Sequence, residues 1–178
     1  MPILSTPASI LYVVLIAALL GFAAWRDVVT RTIPDSVSVA LLLVGSIMRA
    51  GQGWQPLLLS WLIAVAMFVV LIPLCARGLM GGADLKLLSA LAVGLSPQSS
   101  LQLLLDVTLC GGLLAGIYLG ASRLTRGAPG RSTILPARSV LQRIISVEAW
   151  RIRRGAPLPY GIAIAAGAAV AVLKQQGV

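Results

Sequence analysis

The stretch AWRDVVTRTIPDSVSV, residues 24–39, closes one long apolar run with Arg26 and Asp27, crosses Arg31 and an Ile-Pro pair, and opens a second apolar run after Asp35. Such a seam belongs to a chain that enters and leaves a hydrocarbon layer. The composition agrees: 58% of the 178 residues are hydrophobic and 11% are charged, and the mean hydropathy is +0.97. A soluble domain does not have this balance. Windows able to cross about 30 Å of hydrocarbon at about 1.5 Å per residue lie near Ser9–Trp25, Pro56–Ala76, Leu101–Ser122 and Pro157–Leu173. Two shorter windows, near Ser36–Met48 and Leu85–Leu95, each begin just after an aspartate. The expected fold is all-α, a polytopic bundle of about six transmembrane helices, with residues 1–178 as a single integral-membrane domain.

The first window has no Lys or Arg before it and Arg26 and Arg31 after it, the reverse of a cleavable signal peptide's basic start. It reads as a retained helix. Six spans then place Arg26, Arg31, Arg77, Lys86, Arg123, Arg126, Arg131, Arg138, Arg143, Arg151, Arg153 and Arg154 on one side, and Arg49 and Lys174 on the other, which accounts for all 14 basic residues. By the positive-inside rule the rich side is cytoplasmic and both termini face out. Eight of those residues fall in one basic cytoplasmic loop, 123–154. Span bias accounts for the +9 charge without nucleic acid as a partner. Within the loop, RSVLQRIISV at 138–147 sets Val140, Leu141, Ile144, Ile145 and Val147 on one helical arc. It reads either as a helix lying on anionic lipid of the inner leaflet or as one packed on the bundle.

The chain has no histidine, and its two cysteines, Cys75 and Cys110, stand far apart. Serine–histidine and cysteine–histidine nucleophiles and the H-E-x-x-H zinc site are excluded, and no metal or cofactor is expected. Five carboxylates remain: Asp27, Asp35, Asp84, Asp106 and Glu148. Asp27 closes the first window and Asp84 opens the fourth, in LMGGADLKLLSA at 79–90. Charge at the hydrocarbon boundary costs a few kcal/mol, so it tends to be paired or to line a functional cavity. Each of the two reads as a helix cap or as a functional group. Asp35, after Pro34, reads as a cap or a secondary polar group, Asp106 as a structural polar group or one of unassigned role, and Glu148 as a partner for the surrounding arginines. Two carboxylates on one membrane face suggest a dyad in which one keeps its proton and the other acts as base. Lys86 would lower the pKa of Asp84 or snorkel to lipid phosphate. Lys86 and Ser89 also stand three apart on one helix face, as a Ser–Lys pair would, but a lysine at an inner helix end is commonplace.

DVVTRTIPD at 27–35 resembles the D-x-x-x-R-x-I-P-N segment of type IV prepilin peptidases, and GGADLKLL at 81–88 resembles their G-x-G-D-x-K-L signature. PYGIAIAAGA at 159–168 resembles their late P-x-G helix. The resemblance runs over nearly the whole chain in the right order. It implies an aspartic endopeptidase embedded in the bacterial inner membrane, with Asp27 and Asp84 as the catalytic pair and Arg31, Pro34, Gly81, Gly82 and Lys86 in support. The implied substrate is a prepilin with a basic cytoplasmic leader, a Gly before the scissile bond and an apolar helix carrying Glu near its start. Ala83 stands where the signature has its second glycine, and Asp35 where the segment has Asn. A chain starting at the first helix resembles the short, peptidase-only members of tight-adherence (Flp) pilus systems. Alternatives are an ion- or proton-coupled transport component, which deep mid-span carboxylates would favour, and an inactive assembly scaffold with the same fold.

The charge asymmetry predicts six spans with both ends outside. Reporter fusions after Gly53 and Val178 should register the outer side and fusions near Gly130 the inner side; a C-terminus that reports inside would overturn the topology.

Overall fold

A computed structural model describes residues 7–125, 147 and 158–175. Among these residues it contains six helices and no strand: α1 (Pro7–Thr30), α2 (Asp35–Ala50), α3 (Trp54–Ala76), α4 (Gly82–Gly94), α5 (Pro97–Thr125) and α6 (Tyr160–Gln175). The basic loop at 123–154, with the amphipathic arc at 138–147, lies almost wholly outside the described residues.

Helices follow from the expected environment, because hydrocarbon offers no partner to a backbone N–H or C=O and a helix satisfies both internally. Segments within α1, α3 and α5, namely Ile10–Thr30, Trp54–Ala76 and Pro97–Arg123, are long and apolar enough to cross a bilayer. The other three are shorter, at 16, 13 and 16 residues for α2, α4 and α6. The long helices turn large side chains outward, as α3 does with Leu62, Val65, Val69 and Val70, so their apolar surface suits contact with lipid.

Helix α4 behaves in the opposite way. From Leu87 to Gly94 every residue is buried, although 13 residues extend only about 20 Å. It packs against α2, α3 and α6, while α1 packs on α2 and α6, and α5 lies along α6. The central position of α4 accounts for its sequence: a helix enclosed by neighbours needs no polar face.

Two crossings require glycine. A Cβ on Gly45 of α2 would sit 2.8 Å from the Gly94 nitrogen and 3.0 Å from its Cα, so α2 and α4 touch backbone to backbone. A Cβ on Gly167 of α6 would lie 2.6 Å from the Val107 nitrogen in α5. Small residues permit this approach, which supplies the van der Waals contact that holds helices together where apolar burial gives no advantage over lipid. Near the Gly45–Gly94 crossing the Tyr12 hydroxyl donates to the Gly94 carbonyl at 3.2 Å and the Ser60 hydroxyl to Leu95 at 3.4 Å. Those bonds satisfy the carbonyls that end α4.

Gly45→Ala should therefore push α2 from α4 and cost about 1–3 kcal/mol, whereas Gly21→Ala, with nothing within 4 Å of the new methyl, should be neutral or mildly stabilising. Thermal melting of the two variants in detergent checks this, and equal melting temperatures would refute the close crossing.

Candidate active site

Asp27 lies inside α1 rather than at its end. The helix runs on to Thr30 because Arg31 takes up a left-handed conformation, with φ of 56°, and its N–H returns to the Asp27 carbonyl at 2.9 Å. That is the usual way a helix ends, though glycine or asparagine normally occupies the position. The following link is braced by the Thr30 hydroxyl, which donates to the Arg26 carbonyl at 2.8 Å and stands 2.9 Å from the Thr32 hydroxyl. Pro34 then serves as the N-cap residue of α2, with φ of −69°, and Asp35 falls in the first turn, one place later than a cap.

The Asp27 side chain is buried, with 8% of the residue exposed. Its Oδ2 accepts the Gly161 N–H at 2.7 Å. Gly161 is the second residue of α6, so the carboxylate sits where a helix start leaves its N–H groups unpaired and where the dipole favours negative charge. A Cβ at position 161 would come 2.9 Å from both Cβ and Oδ2 of Asp27, so only glycine allows the contact. The sequence signal for Gly161 was its place in the Pro159-Tyr160-Gly161 motif, which carried no role.

Asp84 lies in the first turn of α4, three residues after the N-cap residue Gly81, and accepts the Gly81 backbone N–H. This is the return half of a capping box. A Cβ on Gly81 would lie 2.9 Å from Asp84 Oδ2. Gly82 opens the helix, its Cβ position 3.9 Å from the Cys75 sulfur. Ala83 is helical, and Arg31 is the one non-glycine at positive φ among the described residues, so the signature's missing glycine is not required for a turn here. Asp84 stands ahead of the apolar window that begins at Leu85. Burial, then the charge of Asp27, push its carboxyl up to about 6 from 3.8, against the lowering effect of the Gly81 bond.

Asp27 and Asp84 line the same cavity, of about 610 Å³. Its walls are mostly apolar: Leu71 and Leu74 from α3, Leu79 and Met80 from the following turn, Leu88, Leu104, Val107 and Leu158. Arg31, Thr108 and Tyr160 complete the polar lining with the two carboxylates, and Gly78 and Gly81 also line the cavity. An apolar cleft with a few convergent polar groups is the usual form of a substrate site. The Asp27 charge is one of the causes that raise the Asp84 carboxyl.

The remaining candidates lie elsewhere. Lys86 Nζ donates to both oxygens of Asp35, at 2.9 and 2.8 Å, and lines a different cavity with Ser89. Its ammonium is thus engaged by α2 rather than by Asp84, and the Ser89 hydroxyl has no hydrogen-bond partner among the described residues. Asp106 is buried in α5 and pairs with Lys174 of α6 at 2.8 Å. Among the described residues no three Cys, Asp or Glu side chains gather as a metal site would need.

Residues 13–118 match the model of the type IV leader peptidase family. No curated protein and no solved structure matches the chain. The matched segment covers more than half of the 178 residues and includes both cavity aspartates. On that match, the chain belongs to the type IV leader peptidase family.

Proposed function

We propose that the chain is a prepilin leader peptidase that hydrolyses the bond after the basic leader of a type IV, Flp-like prepilin, using Asp27 and Asp84 as an aspartate dyad. Family membership supports a peptidase acting on prepilins in general. The observation that carries the dyad reading is that the two motif aspartates, far apart in sequence, line one cavity of about 610 Å³ with apolar walls.

The chemistry follows from the two environments. Asp84, with its carboxyl pushed up to about 6, holds a proton to higher pH than an ordinary carboxyl and is assigned the role of acid. Asp27, with one oxygen held by the Gly161 N–H, takes a proton from a water molecule as that water attacks the scissile carbonyl. Asp84 protonates the carbonyl oxygen, and the tetrahedral intermediate collapses as Asp27 passes its proton to the leaving amine and a hydroxyl of the intermediate returns one to Asp84. The leader's peptide would lie against Leu79, Met80 and Leu158, which share the cavity lining with Arg31. Gly81, Gly82 and Pro34 support the pair by shaping the two helix starts that flank it.

In this reading the rim of the cavity faces the cytoplasm, the protein lies in the bacterial inner membrane, and the basic loop rests on anionic lipid. A basic loop repels a basic leader, which separates lipid contact from substrate contact.

Replacing either Asp27 or Asp84 by Asn removes the acid or the base and should abolish leader removal while the protein still inserts. The double variant should be no worse than either single one, since groups that act as a unit give non-additive losses. Prepilin processing in membranes, scored by mass and normalised to enzyme level, decides it. Full activity in either single variant would end the dyad reading and return the transport and scaffold readings to consideration.

The raised carboxyl also affects stability. The folded state holds the Asp84 proton more tightly than the unfolded chain, so its contribution to stability falls as pH rises through about 4 to 6 and stays lost above. Asp84→Asn should accordingly melt higher than the parent at about pH 7.5, with the gap narrowing as pH falls through about 6 and closing below about 4. An Asn variant that melts lower at neutral pH would show that the carboxylate stabilises the fold instead.

A further inference from the structure

Helices α1 and α4 carry the two proposed catalytic carboxylates but are not a principal packed pair; each packs on α2 and α6. The Tyr12–Gly94 hydrogen bond links them near the end of α4 away from Asp84. Near the carboxylates, besides the Gly161 bond that ties Asp27 to α6, a tie runs through α2. Asp35 begins α2, and the link from Asp27 to Asp35 is braced by the left-handed turn at Arg31 and by the Thr30 bonds. Lys86 stands two residues after Asp84 on α4, and its Nζ meets Asp35 Oδ1 and Oδ2 at 2.9 and 2.8 Å. One ion pair therefore closes a loop that runs from Asp27 through the braced link to Asp35, across to Lys86 and back to Asp84.

The pair acts from outside the substrate cavity. Asp84 and Leu88 line the cavity that holds the dyad, while Lys86 and Ser89 line a second one, of about 340 Å³, shared with Asp35. Neither Asp35 nor Lys86 touches the space in which the reaction would occur. We infer that the Asp35–Lys86 ion pair is a positioning tether that fixes the separation of Asp27 and Asp84, an inference that rests on the reading of those two as the catalytic dyad.

The energetics separate positioning from folding. The side chains are 69% and 48% exposed, and exposed pairs contribute little net stability. Breaking the pair leaves the buried α2–α4 crossing at Gly45 and Gly94 intact. Geometry is far less forgiving, because an error of about 1 Å between reacting groups can cost about a hundredfold in rate. The tether should therefore appear in turnover rather than in stability or substrate affinity.

The test is a charge swap read by prepilin processing in membranes, with kcat and KM measured separately and melting recorded for each variant. Asp35→Lys and Lys86→Asp should each lower kcat by about tenfold or more, with KM and melting little changed. The combined swap should recover most of the rate, and Asp35→Asn, which keeps an oxygen for the Lys86 ammonium, should retain most of it. Single variants with parental kcat, or folded single variants whose defect the swap does not relieve, would overturn the tether. Asp84→Asn run in parallel keeps the two ideas apart. A parent that processes and an Asp84→Asn that does not, beside a flat swap series, removes the tether alone; a parent that fails to process removes the function reading and the tether with it.

Discussion

A thirteen-residue helix buried at every position from Leu87 to Gly94 is the constraint on which the rest of the structure depends. At about 20 Å, α4 is shorter than the hydrocarbon thickness that a spanning helix must cover. Its ends must therefore meet protein or polar space instead of lipid. At one end Tyr12 and Ser60 supply hydrogen bonds to the carbonyls of Gly94 and Leu95. At the other, the first turn opens into the cavity that holds Asp84. The shortness of α4 thus leaves room for the cavity at its start, and the glycine crossing with α2 holds the short helix in the bundle.

Helix α6 is fastened by charge at both ends. Its first N–H groups include the donor to Asp27, and its last turn carries Lys174, which reaches the buried Asp106 at 2.8 Å. Between them Gly167 lies directly on the backbone of α5 at Val107. An acidic group at the start and a basic group at the end both agree with the helix dipole. For Asp106 burial is costly, and an ion pair in place of an isolated charge reduces that cost. The other oxygen of Asp106 has no partner among the described residues.

Hydropathy made the helices legible: the window Pro56–Ala76 compares with α3 at Trp54–Ala76, and Ser36–Met48 with α2 at Asp35–Ala50. Ends were harder to read. The first window stopped at Trp25 because Arg26 and Asp27 break the apolar run, but α1 continues to Thr30, since what ends a helix is backbone conformation at Arg31 and not the first charge. The aspartates could be singled out because five carboxylates and no histidine leave few choices. Their partners could not. The Gly161 N–H that holds Asp27 belongs to a helix more than a hundred residues away, |i−j| being 134, and a backbone donor leaves no chemical signature in sequence. Lys86 illustrates the converse. Proximity in sequence favoured Asp84, two residues away, but positions i and i+2 do not face each other on a helix, and the ammonium meets Asp35 instead.

Capping and chemistry appear as rival explanations for a carboxylate at a helix end only while the side chain is treated as a single acceptor. A carboxylate has two oxygens and about four lone-pair sites. Asp27 commits Oδ2 to the start of α6, and Asp84 accepts the Gly81 N–H at the start of α4, and both still line the cavity. Anchoring each group to a backbone donor removes much of the rotamer freedom that it would otherwise lose on reaching a substrate, which is what preorganisation of a reacting group requires. The backbone donors are in turn held by close helix contacts, at Gly161 against Asp27 and at Gly167 against Val107. The helix starts that stabilise the bundle are therefore the same elements that aim the two carboxylates into one cavity, and the fold needs no separate scaffold to bring them there.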